Sequence, residues 1–287
     1  MAQNREYSHK VIEKWTDAAQ ASGSDNFQQG TKFTFIQFER FLNLSDTVAL
    51  SLEGKHCLDF GCGGRRPFSI AAMLYLFGAD QISCIDVCDV KNTPEVARGL
   101  FCLLAVMALG MSGFESKRLY RPKYIRKRIA DFNLDALKAG NLRKGLPRGI
   151  KHYIGDYLDL HKQIGQLDLM VSSSVFEHIP NLEKVLKIYK MNMNPNGFIY
   201  TDIDYRDHRL YTLKLSPWQY LLDGLDVTPG YINKIRHTDM IKLINDAGFS
   251  VVSIDQVLAE PPKEVLAKAK HISNKDLCTL QDTLMLA

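Results

Sequence analysis

The sequence predicts an α/β fold, in which a doubly wound and mostly parallel sheet carries helices on both faces. Apolar strand-like segments alternate with helix-like segments along most of the 287 residues. A glycine-rich turn joins the first strand to a helix within residues 57–70, and polar residues crowd the end of a later strand at residues 202–208. The composition, 46% hydrophobic and 24% charged, is typical of a globular protein with a substantial core.

The segment CLDFGCGGRRPFSI, residues 57–70, is a strand, a tight turn and the start of a helix. Gly61 and Gly63 allow the backbone to bend sharply and a ligand to approach it closely, because neither position carries a side chain. Pro67 suits the first turn of a helix, where its missing N–H is no loss, and the apolar helical pattern runs on to Gly78.

A second signal lies at Asp86, which ends the next β-branched strand, QISCID. An acid about twenty residues beyond a glycine turn accepts hydrogen bonds from both hydroxyls of a ribose. The turn itself reads D-x-G-x-G-G-R, with Arg66 where a dinucleotide fingerprint has its third glycine. The pair of signals therefore predicts a nucleotide-like cofactor and disfavours NAD.

These residues resemble the first motif of the class I S-adenosylmethionine-dependent methyltransferases, a hydrophobic strand followed by D/E-x-G-x-G-x-G. Asp59, Gly61 and Gly63 match it, whereas Arg65 stands where the family usually has its third glycine. The resemblance implies a Rossmann-like sheet of seven strands, mostly parallel with an antiparallel edge strand, and S-adenosylmethionine as cofactor. Within the family, the turn and the LYLFGA helix after it resemble a bacterial branch associated with sugar or surface-glycan modification.

The same resemblance implies which residues hold the cofactor. An acid at the position of Asp156, after the third strand in HYIGDYLDL, hydrogen-bonds the adenine amino group, and the SSSVFEHIP segment after the fourth strand supplies backbone contacts. The full implied set is Asp59, Gly61, Cys62, Gly63, Arg65, Asp86, Val87, Asp156, Tyr157, Ser172 and Ser173.

Two regions flank or interrupt the methyltransferase domain, which we place at residues 51–287. The apolar spacing within residues 1–50 predicts two amphipathic helices joined by a polar loop at 22–30. The resemblance implies that these helices form a lid over the cofactor. Residues 93–149 predict a basic helical insertion that starts at Thr93. Residues 115–151 hold twelve Lys and Arg against three Asp and Glu, which indicates either a surface for anionic groups or a solvated helix face.

The second half of the chain predicts the remaining elements. Strands are expected at 167–172, 197–204 and 249–257, and an antiparallel edge strand is expected at the C-terminus. We expect Asn181 and Thr238 to cap two helices, and Pro195-Asn196-Gly197 to form the turn into the fifth strand.

The candidate catalytic residues follow the carboxyl ends of central strands. Transfer of a methyl group to an alcohol needs a general base, because the pKa of the alcohol is high. We expect His178 first, and His208 second, to be that base, with Asp204 as an orienting partner or an alternative base. Asp202 and Asp204 could flank a divalent ion, but no third ligand is evident and no metal site is predicted.

The sequence thus predicts an S-adenosylmethionine-dependent methyltransferase acting on a small molecule, with a sugar or glycan hydroxyl favoured over an amine. An RNA methyltransferase and a non-catalytic cofactor-binding scaffold are the alternatives, although no nucleic-acid-binding domain or Asn-Pro-Pro-Tyr motif is evident. The expected partner is a small acceptor, sugar-linked or anionic. The absence of a leader, of CxxC pairs and of an apolar run long enough for a bilayer predicts a cytoplasmic protein.

Overall fold

A computed structural model describes residues 25–63, 67–90, 92–223 and 232–287 of the chain. The chain divides into two compact units, one that runs up to Leu169 and one that begins at Met170. Within the described ranges, no helix combines the length and the apolar character that a membrane crossing requires.

Seven strands among the described residues form one sheet in the order β3-β2-β1-β4-β5-β7-β6. Their bounds are β1 His56–Phe60, β2 Gln81–Asp86, β3 Ile150–Ile154, β4 Leu167–Ser173, β5 Met193–Asp204, β6 Val251–Leu258 and β7 Thr279–Leu286. Strand β2 is parallel to β1 and β3, whereas β7 is antiparallel to β5 and β6. The predicted fold class is confirmed, and the antiparallel C-terminal strand lies one place in from the edge that β6 occupies.

The first unit contains seven helices in the part that the structure describes. They are α1 Asp25–Thr47, α2 Ser69–Leu76, α3 Thr93–Leu109, α4 Pro122–Ile129, α5 Leu134–Lys138, α6 Leu142–Gly145 and α7 Tyr157–Ile164. Helix α1 buries Phe35, Phe38 and Phe41 at the predicted helical spacing. The predicted loop at 22–30 is wrong from residue 25 onward, because α1 already begins there; the helix predicted before it lies outside the described residues.

The start of α2 and the end of β3 differ from the sequence expectations. Pro67 precedes α2 instead of lying in its first turn, because Phe68 adopts a left-handed conformation (φ 74°) and the helix begins only at Ser69. The segment HYIGDYLDL is a strand only as far as Ile154. Asp156 then caps α7, with its side chain accepting a hydrogen bond from the N–H of Leu158 (2.8 Å).

Several arginines of the basic insertion contact the rest of the first unit. Arg118 donates to the carbonyl oxygen of Leu50 (2.5 Å). Arg128 forms an ion pair with Asp80 (3.2 Å) and lies 3.8 Å above the ring of Tyr75. These two arginines therefore contact the rest of the first unit, whereas other basic residues of the segment, such as Arg126, are exposed.

The second unit contains a 3-10 helix at Phe176–His178 and six described α-helices. These are α8 Leu182–Asn192, α9 Arg209–Leu213, α10 Gln219–Asp223, α11 His237–Asp246, α12 Lys263–Lys268 and α13 Asn274–Cys278. The predicted turn at Pro195-Asn196-Gly197 lies inside β5, where Asn196 adopts a positive φ of 63°.

Both predicted helix caps of the second unit need correction. Arg236 is the N-cap residue of α11, and the N–H of Thr238 instead donates to the carboxylate of Asp276 (2.7 Å), so the cap comes from a distant part of the chain. Asn181 does occupy the N-cap position of α8, but its side chain makes no capping hydrogen bond.

Candidate active site

The glycine turn after β1 is held against the end of β2. The N–H groups of Gly61 and Cys62 both donate to the carbonyl oxygen of Ile85, at 2.9 and 3.1 Å. Gly61 and Gly63 have φ values of 72° and 76°, in the left-handed region that favours glycine. Glycine is therefore favoured at positions 61 and 63, where the backbone conformation holds the turn next to β2.

Asp86 stands at the end of β2 and closes the turn. Its Oδ2 accepts a hydrogen bond from the N–H of Gly63, and its Oδ1 accepts one from the N–H of Cys88, each at 2.8 Å. Each carboxylate oxygen can accept a further bond, so Asp86 retains capacity for a ligand. A Cβ added at Gly63 would meet no atom of the described residues within 4 Å, which indicates open space beside the turn. Val87 follows and is exposed.

Asp59 differs from Asp86 because its carboxyl group is buried in the interior of the first unit. It accepts a backbone hydrogen bond from Ala71 in α2, and burial is the main reason that its pKa rises to about 7, with the charge of Asp86 also raising it. Asp59 thus ties β1 to α2. Burial likewise raises the pKa of the Cys62 thiol, to which Asp59 contributes.

The predicted adenine side of the site lies at the junction of β3 and α7. The N–H of Gly155 donates to the carbonyl oxygen of Asp86 (2.9 Å), which brings the junction to the end of β2. Asp156 is exposed beyond its capping bond, whereas Tyr157 is buried and packs edge-on against Phe60, with ring centroids 5.6 Å apart. Arg65 lies outside the described residues.

Ser172 and Ser173, at the end of β4, belong to the second unit. Both hydroxyl oxygens are buried and have no hydrogen-bond partner among the described residues. A buried hydroxyl without a partner is costly, which makes this strand end suited to a polar ligand. Ser174 follows with a φ of 54°, and its N–H donates to the carbonyl oxygen of Asp202 (2.9 Å).

An acid–histidine cluster, formed by Glu177, His178, Asp204 and His208, also lies in the second unit. The rings of His178 and His208 meet edge to face with centroids 4.8 Å apart. The Nε2 atom of His208 lies 3.6 Å from Oδ2 of Asp204. The structure thus brings together the three predicted catalytic side chains.

Asp204 is fixed by its neighbours. Its Oδ1 accepts hydrogen bonds from the backbone N–H (3.0 Å) and the Nε (2.6 Å) of Arg206, and its Oδ2 accepts one from the hydroxyl of Tyr211 (2.5 Å). These contacts support the role of an orienting partner for His208. Tyr211 was not among the predicted site residues, because only the fold brings α9 back to the end of β5.

Glu177 is the residue that the sequence reasoning missed. It is 2% exposed, its Oε1 accepts the N–H of Asp204 (3.2 Å), and its Oε2 has no hydrogen-bond partner among the described residues. Burial, with the nearby charges of Asp204 and Asp202, raises the pKa of Glu177 to about 8. Its position directly before His178 at a strand end was the available sequence signal.

Asp202 does not take part in the cluster. Its carboxylate is buried and accepts hydrogen bonds from the hydroxyls of Tyr200 (3.1 Å) and Thr283. The possibility that Asp202 and Asp204 flank an ion is therefore not supported, because the carboxylate of Asp202 is buried and already hydrogen-bonded to these two hydroxyls.

Burial of His208 lowers the pKa of its imidazole, although the negative charge of Asp204 acts in the opposite direction.

A family model described as a methyltransferase domain matches residues 34–254, which is most of the chain. The chain belongs to this methyltransferase family. A ubiquinone biosynthesis O-methyltransferase of Shewanella halifaxensis is 25% identical over 207 residues, covering 72% of this chain and 68% of the relative.

Two solved methyltransferase structures are similar to this chain at low sequence identity. An S-adenosylmethionine-dependent methyltransferase from Mesorhizobium loti is 12% identical, with a TM-score of 0.44 and coverage of 85% of this chain and 97% of the other. An arsenic(III) S-adenosylmethionine methyltransferase from Chlamydomonas reinhardtii is 16% identical, with a TM-score of 0.45 and coverage of 82% and 64%.

The methyltransferase uses S-adenosylmethionine as its cofactor. The open space at Gly63 and the remaining acceptor capacity of Asp86 fit the ribose end of this cofactor. When bound, S-adenosylmethionine supplies a methyl group on a positively charged sulfur, and the residues around it bind and orient it.

Proposed function

We propose that this methyltransferase methylates a hydroxyl group of a small molecule, with a sugar or glycan hydroxyl favoured over an amine. The acid–histidine cluster is the observation that carries the proposal. A hydroxyl oxygen becomes a strong nucleophile only as it loses its proton, so its methylation calls for a nearby group that removes or weakens that proton. A neutral amine already has a free electron pair and needs no such help.

Within the cluster, we assign the role of base to His178 first and to His208 second. The rings of the two histidines are in edge-to-face contact, and Oδ2 of Asp204 lies 3.6 Å from Nε2 of His208. Arg206 and Tyr211 hold Asp204 in turn, which limits the rotation of the carboxylate. Such positioning is most of what an enzyme must supply for an in-line methyl transfer.

The basic insertion favours a small acceptor over RNA. Arg118, Arg121 and Arg128 pair with acids or carbonyl oxygens of the first unit. Nucleic-acid affinity depends on free cations that contact phosphates, and these pairings reduce their number. The Shewanella relative is named as an O-methyltransferase, which agrees with an oxygen acceptor.

The reducing compartment expected from the sequence is also part of the proposal. All six cysteines are free thiols, including the exposed Cys88. Free thiols persist in a reducing cytoplasm, where we place the reaction.

Transfer of labelled methyl groups tests the assignment. The wild type would be screened against sugar, catechol and aliphatic hydroxyls and against the matching amines. On the best hydroxyl acceptor, we expect His178→Ala and His208→Ala each to lower kcat by about 100-fold or more, with the Kd for S-adenosylmethionine unchanged.

His271→Ala is the matched control, because His271 is exposed and lies outside the cluster, between α12 and α13. It should retain wild-type kcat. Transfer to amines alone would contradict the hydroxyl preference, and full activity of both cluster variants would remove the histidines from the mechanism.

A further inference from the structure

Three side chains with metal-ligating atoms converge in the second unit. Glu177 and His178 belong to the 3-10 helix after β4, and His208 lies just before α9, after the end of β5. One ligand atom from each of the three lies within 4.8 Å of the others. Two separate elements therefore bring one carboxylate and two imidazoles to a single point.

One oxygen of the buried Glu177 carboxyl group lacks a hydrogen-bond partner among the described residues. Glu177 is 2% exposed, and only its Oε1 accepts a hydrogen bond, from the N–H of Asp204. Its Oε2 is buried without a partner among the described residues. A buried carboxyl oxygen left in this state is destabilising. The guanidinium of Arg206 does not relieve it, because Arg206 is hydrogen-bonded to Asp204 and Gln281.

We propose that Glu177, His178 and His208 bind one divalent transition-metal ion of the Mn²⁺, Co²⁺ or Zn²⁺ class, and that this ion binds the acceptor hydroxyl. The role in the reaction rests on the proposed function, whereas the binding itself does not. Imidazole ligands favour first-row transition ions, whereas Mg²⁺ and Ca²⁺ prefer all-oxygen sites. Three protein ligands leave at least one position for the acceptor oxygen.

Ion binding requires the three groups to move closer together. Bonds of about 2.0–2.2 Å to an ion bring its ligand atoms to roughly 3.4 Å from each other, so separations of up to 4.8 Å must shorten by as much as about 1.4 Å. His178 is exposed and His208 is partly exposed, and ion binding requires both rings to turn toward the buried carboxyl group of Glu177. Asp204, held by Arg206 and Tyr211, supplies the outer contact that orients His208.

Ion binding changes how the cluster activates the acceptor. A bound divalent ion lowers the pKa of a coordinated hydroxyl, whose O–H bond breaks as the proton passes to solvent water. The oxygen then forms a bond to the methyl carbon, and the C–S bond breaks with its electron pair going to sulfur, which leaves a neutral thioether. In this arrangement the ion takes over the activation of the hydroxyl, and the base role assigned above to His178 and His208 applies only to the ion-free protein.

Cobalt binding to chelator-stripped, full-length protein tests the site directly. We expect one Co²⁺ per chain by calorimetry and a visible spectrum typical of nitrogen and oxygen ligands. Exposed Cys88 is the main competing ligand, and a sulfur-to-cobalt charge-transfer band would reveal it. We expect Glu177→Gln and His208→Gln each to weaken binding by about tenfold or more.

The matched controls are Glu183→Gln and His271→Gln, both at exposed positions outside the cluster. They should bind Co²⁺ as the wild type does. Thermal unfolding checks that the cluster variants fold; if Glu177→Gln does not fold, the partly exposed His208→Gln carries the test. The proposal is overturned if the wild type binds no Co²⁺, Mn²⁺ or Zn²⁺ stoichiometrically, if binding shows sulfur ligation, or if folded cluster variants bind normally.

Activity of the stripped protein separates this inference from the proposed function. Loss of methyl transfer on chelation, restored by Mn²⁺, Co²⁺ or Zn²⁺, supports the role of the ion. Full kcat after chelation overturns it and leaves the histidines as bases. Stoichiometric ion binding together with failure to methylate any hydroxyl acceptor would overturn the proposed function and the role of the ion, but not the ion site.

Discussion

The carboxylate of Asp86 accepts a hydrogen bond from the backbone N–H of Gly63 over 2.8 Å. The acid at the end of β2 and the glycine turn after β1 are thus one connected structure. Because the second oxygen of Asp86 accepts the N–H of Cys88 (2.8 Å), the carboxylate is held in place before any ligand arrives. Preorganisation of this kind lowers the entropic cost of binding the cofactor.

Replacement of Asp86 by Ala should weaken the binding of S-adenosylmethionine by more than about tenfold, or some 1.4 kcal/mol, because the ribose hydroxyls lose their acceptor. Isothermal titration calorimetry measures this effect. Asp89→Ala is the matched control, since Asp89 is an exposed acid of the same loop. Equal weakening by both variants would point to general disturbance of the loop.

A side chain at Gly63 should block cofactor binding, although that side chain itself would contact none of the described residues. Gly63 and Gly54 have nearly equal φ values, 76° and 74°, and a Cβ at either meets nothing within 4 Å. Gly63→Ala and Gly54→Ala should therefore each cost about 1 kcal/mol of folding stability. Only Gly63→Ala should weaken S-adenosylmethionine binding, by about tenfold or more. Unchanged affinity of Gly63→Ala in calorimetry would contradict the placement of the cofactor at this turn.

The buried carboxyl of Asp59 should make stability fall as the pH rises. Its pKa of about 7 in the folded protein lies above the ordinary value, so the unfolded chain releases the proton first. The free energy of unfolding should therefore decline between about pH 4 and pH 7 and then level off.

Asp59→Asn removes this dependence, because an amide oxygen can still accept the N–H of Ala71 but does not titrate. Between pH 5 and pH 8, the stability of the variant should rise relative to the wild type by about 2 kcal/mol. Urea unfolding at both pH values, with Asp89→Asn as an exposed control, gives the measurement. Parallel pH curves for the wild type and Asp59→Asn would refute the shift.

Arg128 should contribute more to stability than Arg126, although both are basic residues of α4. The guanidinium of Arg128 pairs with Asp80 and covers the ring of Tyr75, whereas Arg126 is exposed. We expect Arg128→Met to lower the free energy of unfolding by about 2 kcal/mol and Arg126→Met to change it by less than about 0.5 kcal/mol. Chemical denaturation measures both effects. Similar changes in the free energy of unfolding would favour the interpretation that the basic segment is a solvated helix face.

Local patterns predicted much of the first unit. The glycine turn, the acid at Asp86 and the buried phenylalanines of α1 each depend on near neighbours in the sequence, and the structure has them as expected. The errors lie at element ends. The left-handed backbone of Phe68 shifts the start of α2 to Ser69. The capping bond that Thr238 was expected to make is supplied by Asp276, which is distant in the sequence.

The candidate site of the second unit shows the other limit of sequence reasoning. The two histidines and Asp204 were predicted because they follow strand ends, yet Asp202 and Asp204, two residues apart, have different surroundings. Asp202 accepts hydrogen bonds from Tyr200 of its own strand and from Thr283 of β7, while Asp204 accepts them from Arg206 and Tyr211. Strand pairing with β7 decides this difference, and no local pattern encodes it.

The sequence by itself determined the α/β class, because strand-like and helix-like segments alternate along it. It also determined the glycine turn with Asp86, because that pair depends on spacing within one segment, and the resemblance carried by this segment implied the cofactor. Tertiary structure decided which polar groups are satisfied. It buried Glu177 with one oxygen that has no partner among the described residues, and it brought His208, about thirty residues away in the sequence, next to Glu177 and His178. The physical reason is that a hydrogen-bond partner and the degree of burial are properties of the folded neighbourhood, which residues distant in sequence create.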